Sequence, residues 1–443
     1  MLFANRGQLA RRRTRATSSP AFAGSQSNGD RLALLRRHKP DHWLIVLCAI
    51  LLATGLMVIY SISPALAQTS GVSGSYYVER QILAIVLAAI AFFVTASIPL
   101  ERWRRSYKLL LGFAILATLV AIALPVNPNY PAHRWVRLGS LSFESVDLLI
   151  FALLIWAANF LAIRLKNGTI NNFKKTAYPL LIVMLVVGFV VAVTQSDLGS
   201  TGVIVVMLGL MAYVAGLPLK RIFIFGGIIA LGTFLAIIAT PYRRARLETF
   251  LHPDTNCQTT GYQACQSIIA VGSGGFTGLG LGSSVQAYGY LPEADNDSIF
   301  AIFAEKFGFI GSALLLLVFG ALFYRIAKIG ERAPDDFSRL IVFGVLIWIS
   351  VETVINIGAM IGLLPLKGIT LPFVSYGGTS VVFFATSMGL VYQISRYGSH
   401  VGPDRDRLKL MERISGNDYS GHRRRFGGAH NPGFGGRGRT KEA

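Results

Sequence analysis

The chain has 443 residues, of which 53% are hydrophobic and only 14% are charged, and its mean hydropathy is +0.52. A soluble protein carries closer to a quarter of charged residues, so this composition excludes an ordinary soluble domain. The formal net charge of +20 is concentrated at the two ends: residues 1–42 hold nine Lys and Arg against two acids, and residues 396–443 hold eleven against five. Basic ends of this kind are expected beside the anionic inner leaflet of a membrane, so we expect no nucleic-acid partner.

The two ends are predicted to be disordered cytoplasmic tails. Segment 1–42 is rich in Arg, Ser and Gly and cannot build a hydrophobic core. Segment 397–443 is basic as well and ends in a run of Gly and Arg. The first long apolar run begins near Trp43 and lacks a convincing small-residue cleavage site, so no cleavable signal peptide is predicted.

Hydropathy predicts ten transmembrane helices between the tails, each near the roughly 20 residues that cross a bilayer. The predicted spans are 43–63, 80–99, 108–125, 145–163, 177–194, 200–216, 222–240, 299–324, 340–362 and 379–396. If the N-terminus is inside, the cytoplasmic loops and their flanks hold fourteen Lys and Arg, and the outer loops hold seven. This excess supports the orientation, and an even number of spans leaves both termini in the cytoplasm. We therefore predict an all-α polytopic membrane protein, with residues 43–396 as its membrane domain.

The longest predicted outer loop, 241–298, ends in the acidic sequence LPEADND at 291–297. A loop of this length in a compact protein is usually functional. Asp297, at the mouth of the eighth span, is our candidate for a general base, with Glu293 and Asp295 beside it. The alternative is that Asp297 caps the helix that follows it. Glu305 lies two turns deeper, where it is either functional or paired with Lys306 or with the backbone.

Basic and aromatic residues in the outer loops are candidates for substrate binding. Arg243, Arg244 and Arg246 suit a lipid pyrophosphate, because guanidinium groups bind phosphate in a bidentate manner; the alternative is contact with lipid headgroups. Arg134 and Trp135 suit phosphate contact with sugar stacking, or an interfacial anchor.

Polar residues inside or beside the spans are further candidates, since an ionisable group in a membrane is costly. Asp147 and Glu352 are either functional or structurally paired, and Gln195 and Asp197 lie at a break between two short spans, where they could line a cavity. Cys257 and Cys265 share the long outer loop, and a disulfide between them is plausible but undecided by sequence.

Several motifs occur together in the order found in one family. The chain contains LPEADND at 291–297, GITLPFVSYGGTS at 368–380, QSDLGS at 195–200, RW at 134–135 followed by Gly139 and Phe143, and YR at 242–243 followed by Arg246 and Pro253. These segments resemble the SEDS family (shape, elongation, division and sporulation), whose best-known members are RodA and FtsW. The resemblance covers about 43–396. The segment around Lys367 and Thr370 looks more like the FtsW version.

The resemblance implies a peptidoglycan glycosyltransferase with a ten-helix, GT-C-like architecture. Such an enzyme polymerises lipid II at the outer face of the bacterial cytoplasmic membrane and works with a class B penicillin-binding protein. The essential Asp of the family falls on Asp297, and its cavity Trp falls on Trp135. Glu293, Lys367 and Ser375 lie in the matching motifs and are predicted to bind substrate, while Asp147, Gln195, Asp197 and Glu305 are predicted to line the cavity or support it.

This sequence departs from the family pattern at four positions. Asp147 stands where the family has Glu, Ile150 where it has Lys, Ser196 where it has Pro, and Asp295 where it has His. The first two departures put in doubt any role carried over for that Glu–Lys pair, though not for Asp297.

An FtsW-like chain is expected to act in septal cell-wall synthesis together with other cell-division proteins. A divalent cation such as Mg²⁺ or Mn²⁺ would suit a carboxylate-rich site, but no motif specifies one. The alternatives are an elongation-type, RodA-like polymerase, a lipid II flippase or other transporter, and a non-catalytic scaffold of the division machinery.

Overall fold

The computed structural model describes residues 40–124, 135–138, 141–238, 240–251, 257–259 and 261–397. Nearly all of the two predicted tails lies outside these residues. The helices are α1 (Trp43–Ser70), α2 (Tyr76–Ser97), α3 (Leu100–Ala123), α4 (Ser145–Lys166), α5 (Tyr178–Phe189), α6 (Leu198–Val214), α7 (Leu219–Ile238), α8 (Pro241–Leu251), α9 (Tyr262–Ser273), α10 (Ile299–Glu331), α11 (Asp336–Met360) and α12 (Gly378–Ser395). Short π-helical turns flank α5 at Phe173–Ala177 and Val190–Thr194.

Each of the ten predicted spans corresponds to a helix. Seven helices in the described part of the chain are long and apolar enough to cross a membrane, and Leu198–Val214 is a shorter apolar helix. The chain is therefore an all-helical multi-pass membrane protein. Two strands, β1 (Trp135–Leu138) and β2 (Leu141–Glu144), form an antiparallel hairpin that the all-α prediction did not include.

Two predicted span ends were too early. We expected the first span to stop at residue 63, but α1 continues through Pro64 to Ser70. The eighth span was expected to end at residue 324, and α10 runs to Glu331. In both cases the helix extends past the apolar run that defined the prediction, and helix ends carry polar residues that hydropathy does not count.

Helices α4 and α11 form the centre of the bundle. In α4, 83% of the most apolar window is buried, against 17% for α3, which lies at the periphery. α11 packs against α4, α6, α10 and α12. Helix α2 packs tightly on α12. A Cβ on Gly389 would come within 2.0 Å of the Thr95 hydroxyl oxygen, so this close approach requires glycine.

The predicted long loop 241–298 contains two helices, α8 and α9, and a segment that inserts into a break in α10. The break occurs at Gly308, where φ is 63° and ψ is −161°. The backbone nitrogens of Leu279 and Phe309 donate to the carbonyl oxygens of Glu305 and Gly275, both at 2.9 Å. Non-helical backbone at membrane depth needs such internal partners, so the loop restores the hydrogen bonds that the break removes.

The connections between helices gather at two ends of the bundle. At one end, the backbone nitrogen of Asp41 donates to the Ser395 hydroxyl at 3.1 Å. At the other end, the rings of Tyr77 and Tyr376 lie 5.5 Å apart, and the backbone nitrogen of Glu144 donates to the Thr379 hydroxyl at 3.3 Å. This second end carries the hairpin, the acidic sequence and the connection between α11 and α12.

Candidate active site

The acidic loop, residues 291–298, folds back on itself and presents Asp297 at the mouth of α10. The Ser298 backbone nitrogen donates to the Glu293 carbonyl at 3.0 Å, and the Ser298 hydroxyl donates to the Pro292 carbonyl at 2.9 Å. Glu293 is exposed and has φ of 50°, in the left-handed region, which turns the chain sharply. The N-cap residue of α10 is Ser298, and Asp297 directly precedes it. Asp297 itself is buried, with 7% of its surface exposed.

The connection between α11 and α12, residues 361–377, clasps the acidic loop through its backbone. The Ser375 hydroxyl donates to the Asn296 carbonyl at 2.7 Å and accepts from the Leu371 nitrogen at 2.7 Å. The backbone nitrogen of Tyr376 donates to the Asp295 carbonyl at 2.8 Å. Ser375, predicted to bind substrate, is 2% exposed and joins these two segments.

Asn356 of α11 hydrogen-bonds to both the acidic loop and the connection 361–377. Its amide nitrogen donates to the Asp297 backbone carbonyl at 2.8 Å and to the Ile369 carbonyl at 2.7 Å. Asn356 is 2% exposed, and a buried polar side chain of this kind is stabilising only when it is hydrogen-bonded. A single amide on the central helix therefore fixes the backbone of the candidate base.

Gln263, in the first turn of α9, contacts the Asp297 carboxylate. Its amide nitrogen lies 3.4 Å and 3.5 Å from the two carboxylate oxygens and 3.1 Å from the Ser298 hydroxyl. Thus α9, α10 and α11 all contribute side chains to the surroundings of Asp297.

Asp295 has a raised pKa. Burial raises the pKa of Asp295 to about 6, the charge of Glu293 adds to this effect, and a backbone hydrogen bond opposes it. Burial also raises the pKa of the neighbouring Tyr376 to about 12, and the Asp295 charge contributes in the same direction. Asp295 is therefore a carboxyl group that changes its charge near pH 6, directly beside the candidate base.

A second polar group lies inside the bundle, between α4 and its neighbours. The Ser380 hydroxyl donates to the Asp147 carboxylate at 2.7 Å, and the Gln195 amide donates to the Ser145 hydroxyl at 3.1 Å. Ile150, at the position where the family pattern has Lys, is 1% exposed and packs in the hydrophobic core. Asp147 thus has a serine partner on α12 in place of a lysine one turn along its own helix.

Trp348 and Glu352 of α11 form a further pair in this region. The Trp348 indole nitrogen donates to the Glu352 carboxylate at 2.5 Å, and both side chains are buried. The pairing is between residues four apart on one helix, which are neighbours on its surface.

Glu305 has the structural role that sequence left as an alternative. Its carboxylate accepts from the Ser284 hydroxyl and from the backbone nitrogens of Val285 at 2.9 Å and Gln286 at 3.2 Å. The ammonium group of Lys306 donates to the Leu281 carbonyl at 2.7 Å. These two side chains together anchor the segment that follows α9.

Asp197 caps a helix. It is the N-cap residue of α6, and its carboxylate accepts from the Ser200 nitrogen at 3.0 Å and from the Ser200 hydroxyl at 2.7 Å. Ser196 has φ of 57°, a conformation closed to the Pro of the family pattern, since the proline ring fixes φ near −65°. The adjacent Gly199 packs on the Lys367 carbonyl, 3.0 Å from where a Cβ would lie, so the QSDLGS segment supports the connection 361–377.

The predicted basic and aromatic contacts are only partly described. Arg134 lies outside the described residues. Trp135 is partly buried, and it pairs with Glu144 across the hairpin. Arg243 and Arg246 lie on α8, but their side chains are outside the described part of the structure. Arg244 is exposed, and its guanidinium donates to the Ile238 carbonyl at 2.7 Å.

Cys257 and Cys265 form a disulfide, with 5.6 Å between their Cα atoms. The bond joins the turn before α9 to the first turns of that helix. Sequence left this pairing open, since spacing alone does not determine geometry.

No metal-binding cluster is present among the residues that the structure describes: no group of three or more His, Cys, Asp or Glu side chains is arranged to hold an ion. The acidic loop supplies three carboxylates in sequence, but Glu293 is turned outward and exposed while Asp297 is buried.

Sequence reasoning missed Gln263 and Asn356. Asn356 carried a signal, because it is a polar residue within an apolar helix and such residues need partners. Gln263 carried none, since it lies in a short helix inside the segment that was predicted to be a loop.

Comparison with known proteins identifies the family. Residues 42–400 match the family model FTSW_RODA_SPOVE, described as "Cell cycle protein". The chain is 34% identical over 367 residues to stage V sporulation protein E of Bacillus subtilis, covering 82% of this chain and 99% of that protein. It is 36% identical over 366 residues to a probable peptidoglycan glycosyltransferase FtsW of Saccharophagus degradans, covering 80% of this chain and 92% of that protein.

Solved structures share the fold. A chain from a peptidoglycan synthase complex that coordinates polymerization and crosslinking superposes with a TM-score of 0.67 at 24% identity, covering 81% of this chain and 98% of that one. The rod shape determining protein RodA of Thermus thermophilus gives a TM-score of 0.60 at 23% identity, covering 81% of this chain and 97% of that one. The motif resemblance, the family match and the shared fold agree, and the chain belongs to the SEDS family of FtsW, RodA and SpoVE proteins.

Proposed function

We propose that this chain is a peptidoglycan glycosyltransferase that polymerises lipid II into glycan strands at the outer face of the cytoplasmic membrane. The observation that carries the proposal is the buried Asp297, held at one end of the bundle by side chains from α9 and α11. The relatives named as probable peptidoglycan glycosyltransferases support the reaction class. In this proposal the helices of the ten predicted spans cross the membrane, and both termini lie in the cytoplasm.

In the proposed reaction, Asp297 is the general base. It accepts the proton of the acceptor sugar's 4-hydroxyl as that oxygen forms a bond to the anomeric carbon of the donor. The bond from that carbon to the lipid pyrophosphate breaks, and the pyrophosphate leaves with the electron pair. Attack opposite the leaving group inverts an α-linked donor to a β-linked glycan.

Charge compensation for the departing pyrophosphate is the second requirement of this chemistry. Arg243 and Arg246 lie on α8 in the segment between α7 and the acidic loop, and Arg134 precedes the hairpin; we assign all three to pyrophosphate binding. Trp135, Glu293 and Lys367 are proposed to contact the sugars and the peptide of lipid II.

A septal role and a partner transpeptidase are proposed on the names of relatives. Several relatives are named FtsW, and one similar chain comes from a complex that coordinates polymerization and crosslinking. We therefore propose a class B penicillin-binding protein as partner, together with other cell-division proteins. A RodA-like role in elongation is the alternative.

The test is glycan synthesis from fluorescent lipid II by the purified full chain, with and without a co-purified class B penicillin-binding protein. We expect polymer from the wild type and none above background from Asp297→Asn, which keeps the size of the side chain and removes the base. Wild-type polymerisation by Asp297→Asn would contradict the assignment of the base.

The same preparation in liposomes separates the other functions. Outward movement of labelled lipid II without any polymer would indicate a flippase. A chain that neither polymerises nor moves lipid II, and whose Asp297→Asn variant supports normal growth, would indicate a scaffold.

A further inference from the structure

The short helix α9 reaches the candidate base by a single side chain. Gln263 is partly buried in the first turn of α9, and its amide nitrogen faces both oxygens of Asp297 at 3.4 Å and 3.5 Å. The same nitrogen donates to the Ser298 hydroxyl at 3.1 Å. An amide donor in this place favours the carboxylate form and limits its rotation.

The first turn of α9 begins without a side-chain cap, because its N-cap residue is Gly261. Backbone hydrogen bonds run from the Tyr262 nitrogen to the Thr259 carbonyl at 3.3 Å and from the Cys265 nitrogen to the Gly261 carbonyl at 3.0 Å. The helix also packs on α10 and α11, and the Ser267 hydroxyl donates to the Gln263 carbonyl at 2.7 Å. An uncapped helix start of this kind frays readily.

The disulfide adds a covalent restraint to the start of α9. Cys265 lies two residues after Gln263 in α9 and is 5% exposed, and its sulfur is bonded to that of Cys257 in the preceding turn. A covalent link between the turn and the helix removes conformations in which the helix start unwinds. The turn, the helix start and the side chain of Gln263 therefore move as one unit.

We propose that Gln263 is a positioning residue for Asp297, and that the Cys257–Cys265 disulfide clamps the helix turn from which Gln263 acts. This inference rests on the proposed function, because it assigns Asp297 as the base that Gln263 orients. It predicts that the clamp responds to reduction. A dithiol reductant delivers two electrons and two protons, the disulfide becomes two thiols, and the reductant is oxidised to its own disulfide.

The first test substitutes Gln263 in the full chain and measures lipid II polymerisation with the partner transpeptidase. We expect Gln263→Leu to lower kcat about tenfold with KM unchanged, since misplacing a catalytic group slows the chemical step. Gln266→Leu, one turn further along α9 and likewise partly buried, is the matched control and should keep wild-type kcat. A wild-type kcat in Gln263→Leu, or an equal loss in both variants, overturns the positioning role.

The second test uses the pH profile, which a merely structural role would not move. Gln263→Glu places a second carboxylate beside Asp297 and disfavours its ionised form. We expect the acidic limb of the kcat profile to move up by about one pH unit in Gln263→Glu and to stay within a few tenths of a unit of the wild type in Gln266→Glu. An unchanged profile in Gln263→Glu overturns the contact with the base.

The third test reduces the disulfide with dithiothreitol and follows the reaction by maleimide labelling of the freed thiols. We expect kcat of the wild type to fall by a factor on the order of three to ten. The Cys257→Ser/Cys265→Ser double variant should show this lower kcat without reductant and should not respond to it. Cys48→Ser, which removes the free cysteine of α1, should behave like the wild type. A wild-type kcat after complete reduction overturns the clamp.

The Asp297→Asn variant is measured in the same assay and distinguishes the two proposals. If Asp297→Asn is as active as the wild type, the proposed function itself fails. If Asp297→Asn is inactive while the Gln263 variants and the reduced enzyme behave like the wild type, only the inference about α9 fails.

Discussion

Asp297 and Glu305 are carboxylates eight positions apart that begin and line the same helix, yet their surroundings differ in kind. Glu305 accepts a hydroxyl and two backbone nitrogens from a single segment, 284–286, and is 1% exposed. The carboxylate of Asp297 contacts the amide of Gln263 at long range, while its backbone is fixed by Asn356. Glu305 therefore holds one segment of the fold in place, whereas Asp297 lies where α9, the acidic loop and α11 meet.

The comparison predicts its largest effect on stability at Glu305. In Glu305→Leu, the Ser284 hydroxyl and the nitrogens of Val285 and Gln286 lose their acceptor. Leaving such groups unpaired costs about 3 kcal/mol of unfolding free energy. Thermal unfolding of the purified chain in detergent should show a markedly lower midpoint. Glu331→Leu, at the exposed end of the same helix, is the control and should change stability by less than about 0.5 kcal/mol. Equal midpoints for the two variants would show that Glu305 does not anchor the segment.

Asn356 is predicted to affect both stability and activity, by a smaller amount. Asn356→Leu removes the donor to the carbonyls of Asp297 and Ile369, which costs about 2 kcal/mol and frees the backbone of the base. We expect polymerisation to fall about tenfold. Ser350→Ala, in the same helix, removes only a bond to the Ile347 carbonyl of its own helix and should keep both properties. A stable and fully active Asn356→Leu would contradict the role of α11 in holding Asp297.

Ser375 tests the clasp between the acidic loop and the connection 361–377. Ser375→Ala removes the bridge from the Leu371 nitrogen to the Asn296 carbonyl, and we expect a loss of about 1 kcal/mol in unfolding free energy. Ser387→Ala, also buried, removes a bond to the Phe383 carbonyl within its own helix and should change stability less. A larger loss at Ser387 than at Ser375 would argue against the clasp.

Asp295 should give an effect that appears only as a pH dependence. Its pKa is raised from the ordinary range of an aspartate to about 6, chiefly by burial and further by Glu293. The folded protein therefore binds this proton more tightly than the unfolded chain, so stability falls as pH rises from about 4 to about 6. The unfolding midpoint of the wild type minus that of Asp295→Asn should therefore fall as pH rises over this range. A difference that stays constant with pH would show that Asp295 titrates normally.

The sequence predicted the helices well because each is a long apolar run, and such runs have few alternatives in a membrane. It identified Asp297 from the LPEADND motif, and Asp147 as an ionisable residue in a span. It could not find the hairpin, because its strands are four residues each and lie in what read as a polar loop. The end of α1 at Ser70, beyond Pro64, depends on tertiary packing, which a hydropathy pattern does not include.

The contacts that distinguish one acid from another could not be predicted either. Asp297 and Glu305 are both carboxylates near the start of the same helix. The residues around each of them in the sequence do not indicate which hydrogen bonds it makes. Whether Glu305 pairs with Lys306 or with the backbone depends on where the segment 274–287 lies, and that depends on the break at Gly308. Gln263 meets Asp297 across 34 positions of sequence, through a helix whose place is set by the fold.

The most direct measurement compares lipid II polymerisation by Asp297→Asn and Glu305→Gln, each expressed as rate per folded molecule. Both changes replace a carboxylate by its amide with little change in size. The account predicts a loss of at least about 100-fold for Asp297→Asn, the scale of general-base catalysis, and a rate within about threefold of the wild type for Glu305→Gln, since its role is in folding. Equal rates for the two variants, or a greater loss in Glu305→Gln, would contradict the assignment of Asp297 as the base.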